Sequence, residues 1–128
     1  MAYKSAYAKI AAAIRAALAR TGVNTGGTAG YPRVEPHSFS EGEPQDKDGS
    51  YRIITASIES ISAVSPDEAA ALNTDNLAAL ADFTYEDNDF TTIGIIPQSL
   101  THTSVTTDGQ ALYSCVQTIA IHTTQKLS

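Results

Sequence analysis

The apolar positions along the chain follow two periods, which divide it into two helices and four strands. Over residues 3–20, Tyr3, Tyr7, Ile10, Ile14, Ala17 and Leu18 recur at spacings of three and four, the stripe of an amphipathic helix. Alanine, the strongest helix former, fills most of the remaining positions. Thr21-Gly22 supplies the stop, because glycine takes the left-handed cap conformation. Residues 31–41 pattern weakly as a strand, and Pro32 and Pro36 confine it to an irregular or edge position. Residues 50–62 read as a strand with Ile54, Ala56 and Ile58 on one face. Arg52, Thr55, Ser57 and Glu59 give it polar character, while Ile53 and Ile61 predict partial cover on the second face. Ser65-Pro66-Asp67-Glu68 combines an N-cap serine, a first-turn proline and a capping-box glutamate, a strong start for a second helix. Its inner face takes Ala69, Leu72, Leu80 and Phe83, and Asn73, Thr74 and Asn76 predict a kink or restart.

Residues 91–106 and 111–124 read as two long strands around the turn Thr107-Asp108-Gly109-Gln110. Gly94 and Pro97 predict a bulge or bend in the first of them. In the second, Tyr113, Cys115, Ile119 and Ile121 share a face. Closing the hairpin at Asp108-Gly109 sets His102 opposite Cys115 and His122 opposite residue 95. The order helix-strand-strand-helix-strand-strand is that of a single α+β domain over residues 1–128, a mainly antiparallel or mixed four-stranded sheet with two helices on one face.

Charge changes this picture more than composition does. The 128 residues carry a formal net charge of −6, against the basic balance usual in free-standing nucleic-acid binders. Residues 1–34 hold five basic residues and no acid, residues 35–89 hold thirteen acids against Lys47 and Arg52, and residues 90–128 hold only Asp108 and Lys126. A basic helical end and an acidic middle can pair within a subunit or between subunits. Cys115 is the single cysteine, which leaves no intramolecular disulfide and fits a reducing compartment. The N-terminus reads as no signal peptide, and no apolar run approaches the roughly 18 residues of a membrane span.

Chemistry-bearing motifs are few. The loop over residues 22–30 is rich in glycine but has no lysine at a Walker position. Asp46, Asp48 and Gly49 have the internal spacing of a calcium loop, but that loop needs a first ligand where Pro44 stands and a final glutamate where Thr55 stands. His37, His102 and His122 are not neighbours by this reading, which leaves no zinc ligand set. Cys115 reads as a buried small hydrophobe, and no Gly-x-Ser-x-Gly elbow occurs. The acidic run Glu86-Asp87-Asn88-Asp89 reads as a solvated loop. No catalytic, cofactor-binding or metal-binding residue is expected, and the chain reads as a non-enzyme. The two long final strands instead suggest a protrusion or a sheet that extends into a neighbour.

The succession YAKIAAAIRAALARTG, YPRVEPHSF, DGSYRIITASIESIS, SPDEAAALNTDNLAAL and the closing strand pair 93–124 resembles the tail-terminator, or tail-completion, proteins of long-tailed bacteriophages. That resemblance implies a structural virion protein that forms a hexameric ring. The ring caps the tail tube and joins it to the head-side connector, and DNA passes through its lumen without specific binding. It implies no cofactor and no membrane, with assembly in the host cytoplasm. Head-completion or stopper proteins of the phage neck are the nearest alternative, and a small non-enzymatic ligand- or peptide-binding module is another. With the resemblance, Glu41, Glu43, Asp46, Asp48, Glu86, Asp87 and Asp89 become candidates for an acidic lumen or for contacts to partners. Arg15 and Arg20 become candidates for a contact with the acidic segment of the next subunit.

Overall fold

The computed structural model describes residues 4–19, 24–25, 30–43 and 50–126. Its elements run α1 (Tyr7–Ala19), β1 (Asn24–Thr25), β2 (Arg33–Glu41), β3 (Tyr51–Ser62), α2 (Pro66–Ala81), β4 (Phe90–Thr107) and β5 (Gln110–Gln125). The strands form one sheet in the order β1-β2-β3-β5-β4. The four long strands are antiparallel to their neighbours, as expected. The two-residue β1 pairs parallel to the start of β2 and makes the sheet mixed. Arg20, Asp46, Asp48 and the turn at Asp48-Gly49 lie outside the described residues.

The core lies between the sheet and the two helices. Ile10, Ile14 and Leu18 of α1 and Leu80 of α2 meet Val34, Ile54, Ile58, Ile119 and Ile121 from the strands. Tyr7, expected within the apolar stripe of α1, is instead 43% exposed, and its ring meets Phe39 edge-on at 6.1 Å. Burial in β3 alternates without a break, and Arg52 falls on the inward phase with Ile54, Ala56 and Ile58. Arg52 is therefore wholly buried. Its guanidinium donates to the Lys4 carbonyl, to Gln125 Oε1 at 2.9 Å and to Glu41 Oε2 at 3.3 Å, and it lies 5.4 Å from the Phe90 ring centroid. A buried charge persists only when paired and hydrogen-bonded in this way.

No kink or restart interrupts α2. Its asparagines point inward because the sheet offers them polar partners: Asn76 Nδ2 donates to Ser60 Oγ at 2.9 Å and Asn73 Nδ2 to Gln117 Oε1 at 3.3 Å. Ser65 caps the helix by accepting from the Glu68 N–H at 3.1 Å. The Glu68 carboxylate does not complete a capping box; it accepts from Ser62 Oγ at 2.7 Å.

Both irregularities expected in β4 are present, with register shifts between Thr92 and Gly94 and between Pro97 and Leu100. Beyond the second shift His102 stands opposite Cys115, as expected. The shift itself moves His122 by one, opposite Gly94 rather than residue 95. The hairpin turns through Asp108 and Gly109, both at positive φ, the pattern of a type I′ turn.

Candidate functional site

Two features stand out at opposite ends of the molecule. The first is the end of the β4–β5 hairpin. β3 pairs with β5 from Tyr113 to Thr124 and no further, so among the described residues 105–112 have only each other as strand partners. Every residue of β4 from Ile96 onward is exposed. β4 also forms one rim of the sheet, and its 18 residues include no Asp, Glu, Lys or Arg. Ile93 (65% exposed), Ile96 (54%) and Val105 (51%) lie on it. Proteins usually protect such rims with charges, prolines or bulges. Pro97 and the two bulges guard the first half of β4, and nothing comparable guards Leu100–Thr107. The opposite side is better protected: β1 pairs with Arg33 and Val34, and beyond them β2 carries Pro36, which has no N–H, and Ser38 at φ 56°.

The second feature is a cleft of about 390 Å³ between α1 and the end of α2. Ala13, Ala16 and Ala17 line one side, and Ala79, Phe83 and Tyr85 the other. One acid, Asp82, borders it.

The acidic candidates are largely engaged within the chain. Glu41 serves the start of α1, accepting from the Ala6 N–H at 2.8 Å and from Ser5 Oγ at 2.7 Å. Burial alone would raise its carboxyl; the Ala6, Ser5 and Arg52 hydrogen bonds outweigh that and hold it below its ordinary value. Asp87 accepts from Lys9 Nζ at 2.8 Å and from Tyr85 Oη at 2.6 Å, and Asp89 from Lys4 Nζ at 2.8 Å. The Lys9 ammonium, then the Tyr85 hydroxyl, holds the Asp87 carboxyl far below the usual carboxylate range. Lys4 and then Lys9 lower Asp89 in the same sense. Glu86 pairs with Lys126 at 2.7 Å. Glu43 follows β2 in an exposed position. Arg15 is exposed, with its guanidinium 5.0 Å from the Phe39 ring centroid.

The histidines are dispersed. His37 Nδ1 lies 2.7 Å from Ser38 Oγ, and its Nε2 lies 3.3 Å from Glu59 Oε1. His122 Nδ1 meets the Tyr51 hydroxyl, and His102 stands exposed on β4. Among the described residues, no group of three His, Cys, Asp or Glu is placed to hold a metal ion. Burial pushes the Cys115 thiol up, away from the thiolate form a nucleophile needs.

No family model matches the chain, and no curated protein does. Among solved structures it is similar to a chain of the "virion of native gene transfer agent (GTA) particle". The TM-score is 0.67 and the identity 17%, and the match covers 93% of this chain and 99% of that one. The likeness is therefore one of fold, extending over nearly the whole of both chains.

Proposed function

We propose that the chain is a structural, non-enzymatic virion protein of the tail-terminator kind. Copies of it would form a ring, with six as the expected number, between the tail tube and the head-side connector. The observation that carries this reading is the shared fold with a chain of a gene transfer agent virion, which spans both proteins almost end to end. The exposed second half of β4, which carries no charged residue, supports it, because an unprotected edge strand of that kind calls for a covering partner. DNA would pass through the ring without being read. A net charge of −6 on every copy disfavours retention of a phosphate backbone. The charge of the lumen then rests less on Glu41, Asp87 and Asp89, which are bound to partners inside the subunit, than on the overall acidity of the ring.

Gold-labelled antibody against the chain, applied to the particles that carry it, tests this reading. Label confined to the junction of head and tail is the expected result. Label along the length of the tail, or over the head surface, would contradict it.

A further inference from the structure

We propose that the free edge of β4 over Leu100–Thr107 is a strand-docking site. An extended segment of a different virion protein, free of Asp and Glu and stacked on the ring, adds there as a further strand of the sheet. This rests on the reading of the chain as a ring subunit and names the kind of contact the ring makes with its neighbours in the particle.

The first observation is the edge itself. Among the described residues β4 pairs with β5 on one side and with no strand on the other. In an antiparallel pair every second residue turns its N–H and C=O away from the partner strand, which leaves roughly four such residues over this stretch. All of Leu100–Thr107 is exposed. Another extended backbone is what satisfies a row of unpaired groups of this kind.

The second is a hollow beside that edge. A space of about 230 Å³ between the start of α2 and β4 is lined by Pro66, His102, Thr103, Ser104 and Tyr113. Ser104 and Tyr113 are directly paired across the hairpin and share a face, and His102 lies two residues along on the same face. Strand addition joins main-chain hydrogen bonds, which give affinity, to pockets for alternate side chains, which give specificity. No charged residue lines this hollow, and Pro66 and Tyr113 give it apolar surface. It fits one apolar side chain of the added strand.

The third is charge. Leu100–Thr107 holds no Asp, Glu, Lys or Arg. The charged residues beside it are acids: Asp67 follows Pro66, Asp108 follows Thr107, and Glu59 accepts from Ser114, which pairs with Thr103. An acidic segment is repelled there, and a segment of apolar and β-branched residues is not.

Copies of this chain do not supply that strand within the ring. Neighbours in a closed ring are related by rotation about its axis and meet head-to-tail, through different surfaces. Pairing β4 with β4 would require a two-fold axis between them. On the opposite side β1 covers Arg33 and Val34, and beyond them Pro36 and Ser38 at φ 56° interrupt β2. The strand therefore comes from a protein that stacks on the ring.

Photo-cross-linking in assembled particles tests the proposal. Thr103→Cys, at an exposed site, is labelled with benzophenone maleimide, while Cys115 is buried and stays in place. The labelled chain is added to particles assembled without it and irradiated. The expected product joins residue 103 to a stretch of a different virion protein that contains no Asp or Glu. A product joining two copies of this chain would overturn the proposal. Hydrogen exchange in the unmodified chain covers the case in which the label itself blocks docking. The amides of residues 100–107 should exchange at least tenfold more slowly in the particle than in the purified protein. Equal rates would overturn the proposal, as would protection already present in the purified protein. Replacing Thr101 and Thr103 together by Lys, a residue that guards natural edges, should keep the circular-dichroism spectrum and the native mass and lower the yield of completed particles at least tenfold. Replacing both by Ser should not, and a full yield from the Lys variant would count against the site. Native mass separates the two readings. A ring whose β4 edge stays free in the particle removes only the docking site. A monomer at every concentration whose residue 103 still joins another virion protein removes only the ring.

Discussion

At the scale of single residues, Arg52 and Glu41 join segments that are remote in sequence. The Arg52 guanidinium reaches the Lys4 carbonyl before α1 and the Gln125 amide at the end of β5, and Glu41, at the end of β2, accepts from the Ala6 N–H and the Ser5 hydroxyl just before α1. The sequence held a signal for Arg52 that grouping it with the polar Thr55, Ser57 and Glu59 passed over. Arg52 lies in phase with Ile54, Ala56 and Ile58, and a charged residue on a core phase signals a buried polar contact. Glu41 carried no such signal, because the Ala6 N–H it serves lies 35 residues earlier and no local pattern connects them. The Glu41 carboxyl is held below its ordinary value of 4.5, so the folded state binds fewer protons there than the unfolded one. The stabilisation is fully present above pH 4.5 and is lost as pH falls through the lower folded value. Glu41→Gln should cost about 2 kcal/mol at neutral pH, since it removes charge-assisted hydrogen bonds. It should also flatten, without abolishing, the acid limb of stability against pH, because Asp87 and Asp89 are shifted in the same direction. Urea unfolding across the acid range up to neutral pH would measure both effects; an unchanged acid slope would refute the role given to Glu41.

At the scale of elements, the turn of the long hairpin rests on two residues in the left-handed region. Asp108 at φ 52° and Gly109 at φ 77° allow the tight reversal that keeps the Val105–Leu112 pair in register. Open space surrounds the position a Cβ would take at Gly109, so any penalty for a side chain there comes from the backbone. Gly109→Ala should therefore destabilise the hairpin by about 1 kcal/mol, read as a lower denaturant midpoint with an unchanged slope. No loss of stability would mean that the turn is not held in this conformation. The turn of the hairpin and the irregularities at Gly94 and Pro97 were legible, because each depends on local backbone chemistry, but the one-residue step that the shift after Pro97 imposes on the pairing of His122 was not. The straight course of α2 was not. Asn73 and Asn76 weaken a helix by propensity, and only the presence of Ser60 and Gln117 across the interface makes them favourable inside it. Tyr7 departed from its stripe for a related reason: the apolar period continued to the helix start, but the sheet beneath it did not cover the ring.

At the scale of the whole molecule, the uneven charge has a local explanation. Lys4 and Lys9 from the basic end bind Asp87 and Asp89 from the acidic middle within one chain, so that part of the asymmetry fastens α1 to the loop before β4. The sequence showed that opposite charges were available but not which would meet, since pairing depends on how the helix lies against the sheet. The charge pairing leaves aside a long hairpin charged only at Asp108 at one end and a cleft of small residues bordered by Asp82 at the other. Neither was complete in the sequence. The length of the final strands suggested a protrusion, whereas the cleft exists only because α1 packs beside the end of α2. The central claim is that copies of this chain assemble head-to-tail into a closed ring. Native mass spectrometry of the purified protein over a range of concentrations tests it most directly. The account predicts one discrete assembly of fixed size, close to six copies, that grows at the expense of the monomer as concentration rises. A protein that stays monomeric throughout, or that stops at a dimer, would contradict it.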